Sequence, residues 1–273
     1  MEDPWAAVVS LADDRELGAT ETATLAAQAL ARVGRADLAD AIETLIRGHP
    51  SMAPLWRLGS ALLSGPDHAA TAERFEHDLA DQGVAAAVVA SALPSTLITI
   101  SCSATVVESI RVRKPQAVLC MASEPGGEGM QMAGLAGAYT RATVIPDWQA
   151  IQEVPADAVL VGADAVTPRS LVNKVKTREL VEAAAARDIP RFAVASSSKL
   201  VPVEIPVPEP FQSTALGMFS QIATPAGMAE PVLTAARAAA VGLHPAMVML
   251  AEMLIEESGE QEPPTTPATE PTP

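Results

Sequence analysis

Between residues 95 and 196, short apolar, β-branched runs alternate with stretches of helical spacing. That alternation limits the possible folds more than any other feature of the chain. STLITIS, QAVLCMA, ATVIP, DAVLVG and RFAVAS read as strands of near-continuous apolar character. Helical patterns lie between them, among them GMQMAGLAGAY and KTRELVEAAAARD. A strand that is apolar on both sides must be covered on both faces. Helical crossovers provide that cover, and strands joined in this way form a parallel sheet. The pattern predicts an α/β chain with a parallel-sheet domain, covered by helices on both faces, over residues 93–255. Ligands of such sheets bind beyond the carboxyl ends of the strands, so the residues that follow each strand are the ones to examine.

Upstream, residues 1–92 read as a helical domain. ATETATLAAQALARVG has Thr20 or Thr22 as its expected N-cap and Gly34 as its stop. ADLADAIETLIRG ends at Gly48, and PLWRLGSALLSG opens on Pro54 and ends near Gly65. HAATAERFEHDLADQGVAAAVVASAL is one long pattern with an interruption expected at Gly83. After a last helix, PAMVMLAEMLIEE, residues 256–273 carry Pro, Thr and acids with no large apolar side chain. Such a segment cannot bury enough surface to offset its ordering entropy, and disorder is expected there.

Composition removes several function classes. The net charge is −15, and the terminal glutamates are only a small part of the 33 acids. A nucleic-acid binder needs a basic surface to neutralise phosphates; this chain has no basic run, so no direct nucleic-acid partner is expected. No apolar stretch reaches the ~18 residues of a membrane span, and the acidic start does not resemble a secretory signal. A cytoplasmic, membrane-free protein is the expectation. Cys102 and Cys120 make no disulfide framework, and the scattered His49, His68, His77 and His244 read as structural or surface residues. No metal and no cofactor are expected.

Four strand ends carry reactive groups. Cys102 follows LITIS; Glu124 with Gly126, Gly127 and Gly129 follows AVLCMA; Asp164 follows AVLVGA; Ser196, Ser197, Ser198 and Lys199 follow RFAVA. In a parallel sheet all four point to one rim, bringing a thiol, a carboxylate, backbone donors and an ammonium around one cleft. Thiol and carboxylate together suit proton transfer between adjacent carbons. Taken singly, each has a plainer reading. Cys102 fits a small core residue, Asp164 a turn cap, the EPGGEG stretch a flexible loop, and Lys199 a solvated charge. Cys120, mid-strand, reads as core.

The stretch from Val159 to Pro202 resembles a family signature. A strand ends in Gly162-Ala163-Asp164, then come Asn173-Lys174 and Thr177 in an NKxGT-like element, Ile189-Pro190, a strand, and Lys199 near its end. HPSMAPL and LITISCSATVVESI extend the likeness upstream. The chain thus resembles the superfamily of methylthioribose-1-phosphate isomerase, ribose-1,5-bisphosphate isomerase and the α, β and δ subunits of translation initiation factor 2B. The resemblance implies a helical N-terminal domain before a Rossmann-like domain of the NagB/RpiA/CoA-transferase type. It implies Cys102 and Asp164 as a catalytic pair converting an aldose 1-phosphate to its ketose. It further implies substrate contacts from Gly126, Gly127, Gly129, Asn173, Lys174 and Lys199, an NKxGT helix start facing an anion, and a homodimer or higher homo-oligomer.

Departures from the pattern open a second reading. The isomerases hold phosphate with an Arg in an acid-Ser/Thr-Arg-Pro loop; aligned on Pro125 and Gly129, this chain has Ala122 at the acid and Glu124 at the Arg. The Ser-Arg of the factor subunits is Ser103-Ala104, the His before the catalytic Cys is Ser101, and the Gly of NKxGT is Lys176. Ser196 stands where the ribose-bisphosphate enzymes carry Glu. A carboxylate at position 124 repels phosphate. The two expectations are therefore an isomerase of a phosphorylated pentose and a non-catalytic subunit that binds a metabolite or nucleotide.

Overall fold

The structure is a computed structural model that describes residues 3–259. Its first third is a helical layer: α1 (Pro4–Asp13), α2 (Ala19–Leu30), α3 (Leu38–Gly48), α4 (Ala53–Ser64) and α5 (His68–Asp78). Asp3 and Asp67 cap α1 and α5 by accepting from the N–H groups of Trp5 and Ala70, satisfying donors a helix start otherwise leaves open. Alanines along α2 and leucines along α3 and α4 close the layer around the fully buried Trp56. α2 differs from expectation at both ends. Gly18 is its N-cap, and the hydroxyls of Thr22 and Thr24 donate to carbonyls one turn back inside the helix. It ends at Leu30, ahead of Gly34. The long pattern after His68 breaks at a 3₁₀ turn over Leu79–Asp81, not at Gly83, and α6 (Gln82–Ala90) follows.

The sheet follows as β1 (Thr96–Thr99), α7 (Ala104–Arg113), β2 (Ala117–Met121), α8 (Glu128–Ala136), β3 (Arg141–Ile145), α9 (Asp147–Glu153) and β4 (Ala158–Val161). After a small antiparallel sheet of β5 (Ala165–Val166), β6 (Ser170–Lys174) and β8 (Phe211–Ala215), it resumes with β7 (Arg191–Val194), β9 (Gln221–Thr224) and β10 (Gly227–Ala229). α10 (Thr177–Ala185) lies between β6 and β7; α11 (Pro231–Ala239) and α12 (Pro245–Gly259) end the described chain. The main sheet runs β10-β9-β7-β4-β1-β2-β3, parallel except for the β10 hairpin. The fold class is the mixed α/β architecture expected, a helical N-terminal region with a mostly parallel central sheet.

Chain order within the sheet locates the cleft. From β1 the chain moves outward to β2 and β3, then returns to the other flank of β1 as β4 and proceeds to β7 and β9. The reversal lies between β1 and β4, the place at the carboxyl ends where sheets of this kind bind ligands. Cys102 and Asp164 are the residues that follow those two strands.

The helical layer and the sheet exchange helices out of chain order. Ala85 and Val89 of α6 join the core beneath the sheet, whereas Met247, Leu250 and Leu254 of α12 return to the helical layer. The small sheet joins the two halves, since Ala165 and Val172 also pack into the helical core. α12 continues to Gly259, four residues into the segment expected to be disordered; the rest of that segment lies outside the described residues.

Candidate functional site

The rim is built from turns that leave each strand sharply. β1 passes through Ser101, at φ 64°, to Cys102, and Ser103 caps α7 by accepting from the Val106 N–H. Gly162, just after β4, runs so close to this turn that a Cβ there would lie 2.4 Å from Ser103 Oγ. Only a residue without a side chain lets the two strand ends approach in this way. Asp164 is then held through its backbone: its N–H donates to the Val172 carbonyl at 2.8 Å, and its carbonyl accepts from Ala53 at 3.0 Å. The first turn of α4 thereby roofs the site, which gives the HPSMAPL stretch a structural place.

Charge gathers at this point. Asp164 is partly buried, and loss of water pushes its carboxyl up; Lys199 and Lys174 oppose that rise and Glu128 adds to it. Lys199 is only 5% exposed. Burial pushes its ammonium down, against the attraction of Asp164. Among the described residues no acceptor or carboxylate lies within bonding distance of that ammonium. Cys102 is partly buried, and burial, then Glu128, push its thiol up. Glu128 is thus a charged neighbour of both Cys102 and Asp164, and Asp164 is a neighbour of both lysines. Cys120 is buried beneath, its thiol pushed up to about 12 chiefly by burial.

Asn173 and Lys174 reach the site from a different element than expected. They end strand β6; α10 opens only at Thr177, after Lys176 turns at φ 75°. The Asn173 amide donates to Thr177 Oγ1 at 3.1 Å, and that hydroxyl donates to the Lys174 carbonyl at 2.6 Å. Asn173 therefore braces the strand-to-helix turn. Lys174, 3% exposed, pairs with Glu128 Oε1 at 2.5 Å. Lys176, in the left-handed conformation glycine prefers, reaches Asp147 Oδ2 at 2.6 Å.

The glycine-rich loop has two kinds of glycine. Gly126, at φ 112°, lies on the Lys174–Glu128 pair: a Cβ there would meet Glu128 Oε1 at 2.8 Å and Lys174 Nζ at 2.9 Å. Gly127, also at positive φ, caps α8. Gly129 serves packing, since a Cβ would sit 1.9 Å from the Met121 carbonyl oxygen of β2. Asp147 anchors the loop by accepting from the N–H groups of Ser123 at 2.8 Å and Glu124 at 2.9 Å. Burial acts to raise the Asp147 carboxyl, but Lys176 and these two N–H groups together hold it below the usual carboxylate range. The Glu124 side chain is exposed.

Sequence reasoning missed Glu128 and Asp147. Asp147 follows the strand ATVIP and meets the same strand-end criterion that selected the others. Glu128 lies inside the glycine-rich stretch, but its pairing with Lys174 depends on β6, which the sequence did not reveal. Among the described residues no three His, Cys, Asp or Glu side chains gather as a metal centre, and no helix is long and apolar enough to cross a membrane.

A model of the initiation factor 2 subunit family matches residues 15–207. No curated protein sequence matches the chain. Among solved structures, the translation initiation factor eIF-2B of Pyrococcus horikoshii OT3 is similar at 24% identity and TM-score 0.77, over 85% of this chain and 98% of that one. The tetrameric eIF2B-beta2-delta2 complex of C. thermophilum is similar at 14% identity and TM-score 0.66, over 85% and 92%. The 5-methylthioribose 1-phosphate isomerase of P. horikoshii OT3 follows at 18% identity and TM-score 0.64, over 86% and 87%. At these identities the likeness is one of fold.

Proposed function

The chain belongs to the initiation factor 2 subunit family, and from that premise we propose that it is an aldose–ketose isomerase of a phosphorylated pentose, with Cys102 and Asp164 as its acid–base pair. The observation that carries this reading is their placement at the carboxyl ends of β1 and β4, either side of the chain reversal, with Glu128 a charged neighbour of both. A carboxyl group pushed up by burial holds its proton more tightly than an exposed one, which suits a general acid. Asp164 gives that proton to the ring oxygen as the bond from C1 to the ring oxygen breaks. The Cys102 thiolate takes the proton from C2, leaving an enol. The same proton returns at C1, and the C2 hydroxyl proton restores Asp164 as the ketone forms. No proton is gained or lost overall. Lys199 and Lys174 supply the positive charge for the phosphorylated substrate.

Turnover tests the reading directly. Ribose 1,5-bisphosphate, methylthioribose 1-phosphate and 5-deoxyribose 1-phosphate are offered while ketose is followed. Ketose from at least one of them, absent in Cys102→Ala and Asp164→Asn, is the expected result; no product from any, or activity surviving in both variants, overturns it. A second reading, a regulatory subunit that binds a metabolite or nucleotide without turnover, is favoured by Glu124 at the arginine position and by Glu128 already engaging Lys174. Ligand-induced thermal stabilisation without ketose would select it. In either reading we propose that the protein assembles, as a homodimer or larger homo-oligomer; the similar eIF2B-beta2-delta2 structure is a tetramer of two subunit types.

A further inference from the structure

Glu128 has one oxygen committed and one left over. Its Oε1 holds Lys174 at 2.5 Å, while its Oε2 is buried with no hydrogen-bond partner among the described residues. A buried carboxylate oxygen without a donor is costly, more so than a buried neutral acceptor. The carboxylate is also fixed in orientation, because Lys174 is almost wholly buried and Gly126 lies directly on the pair. A second, independent group nearby is in the complementary condition. Lys199 is 5% exposed with no side-chain hydrogen bond or ion pair among the described residues, and both it and Glu128 act on Asp164. The site therefore offers an open acceptor and an open cation around one carboxyl group.

We propose that Glu128, oriented by Lys174, is a further ligand-binding residue that reads a hydroxyl of a polyhydroxylated, phosphorylated ligand, the hydroxyl donating to Oε2 while the anionic end of the ligand is drawn to Lys199. This rests on the site assigned above and deepens it: Glu128 selects a sugar phosphate over a bare anion. A carboxylate oxygen carries negative charge and has no proton to donate, so it repels inorganic phosphate dianion. It rewards a neighbouring hydroxyl with a charge-assisted hydrogen bond.

Binding, rather than turnover, separates this from the isomerase reading. Calorimetry on the full chain compares ribose 1-phosphate, ribose 5-phosphate and ribose 1,5-bisphosphate with inorganic phosphate. In Glu128→Met, affinity for the sugar phosphate that binds wild type best falls about tenfold or more, the scale of a lost hydrogen bond to a charged group. Affinity for inorganic phosphate stays level or rises. Glu128→Gln, which keeps an acceptor for Lys174, shows a smaller loss and serves if the Met variant does not fold. Unchanged or tighter sugar-phosphate binding in both variants overturns the proposal, because Glu128 would then only neutralise Lys174. Failure of wild type to bind any of the three sugar phosphates overturns it as well. Binding that depends on Glu128 without any ketose would leave this inference standing and remove the isomerase.

Discussion

The two flanks of the rim treat charge differently. Beyond β2 and β3, each buried charge has its counterpart: Asp147 receives Lys176 and two loop N–H groups, and Lys174 receives Glu128 Oε1. At the reversal between β1 and β4, Asp164 and Lys199 attract each other without a bond, and Cys102, which has Glu128 as a neighbour in common with Asp164, has its thiol pushed up. The first arrangement holds a loop in place; the second leaves groups poised to exchange protons or meet a ligand. Titratable side chains kept buried and unpaired weaken a fold, and strongly perturbed groups concentrate at functional sites. The contrast separates residues that hold the rim together from residues proposed to act on a ligand.

The largest expected effect lies on the unpaired flank. Cys102→Ala and Asp164→Asn each lower kcat/KM about a thousandfold, the range of a lost general acid or base, while melting temperature stays level or rises. A marked fall in melting temperature would put these residues with the paired flank. Next comes Asp147→Ala, expected to cost about 3 kcal/mol in urea unfolding, because it strands two loop N–H groups and a lysine. Since Asp147 is held below its usual range, its contribution is present at neutral pH and is lost as pH falls through its depressed folded value. The Asp147→Ala penalty should therefore shrink in acid.

A smaller effect is in the pH profile. The Cys102 thiol is raised, so the thiolate the mechanism needs is a minor form at neutral pH. Because Asp164 must be protonated and Cys102 ionised together, kcat/KM should rise on the acid side, run level between the two titrations and fall once both groups are ionised; a profile that goes on rising after the thiol titrates would exclude Asp164 as the acid. Lys199→Met should stabilise the fold by about 1 kcal/mol by removing a buried, unpaired charge. The lowered folded value of Lys199 makes wild-type stability rise with pH below the unfolded value of 10.5. That slope should flatten in the variant, as measured by thermal unfolding across pH. Smallest of all, Lys176→Gly should fall within about 1 kcal/mol of wild type, relief of the left-handed backbone offsetting loss of a partly exposed ion pair.

The apolar strands made the parallel sheet readable, because β-branched runs and helical spacing are local signals. For the same reason Cys102 and Asp164 were legible as strand-end residues. The small sheet was not. β5 is two residues long, and β6 pairs with β8 across a span that includes α10 and β7, so its register is a tertiary fact. Without β6, Asn173 and Lys174 read as a helix start, and Glu128 had no visible partner. Thr22 reads as a cap from its residue type, yet its hydroxyl is satisfied just as well by the Gly18 carbonyl inside the helix. The exchange of α6 and α12 between layers likewise depends on packing that no single segment encodes.

Whether a sulfur and an acid on adjacent strands serve one bound molecule can be read from alkylation of Cys102, quantified by mass spectrometry, with and without the best-binding sugar phosphate. At ligand about ten times Kd, occupancy should slow labelling about tenfold in wild type. Asp164→Asn should need a higher ligand concentration for the same protection. Labelling that proceeds at the unliganded rate in saturated protein would place the ligand elsewhere and contradict the shared site.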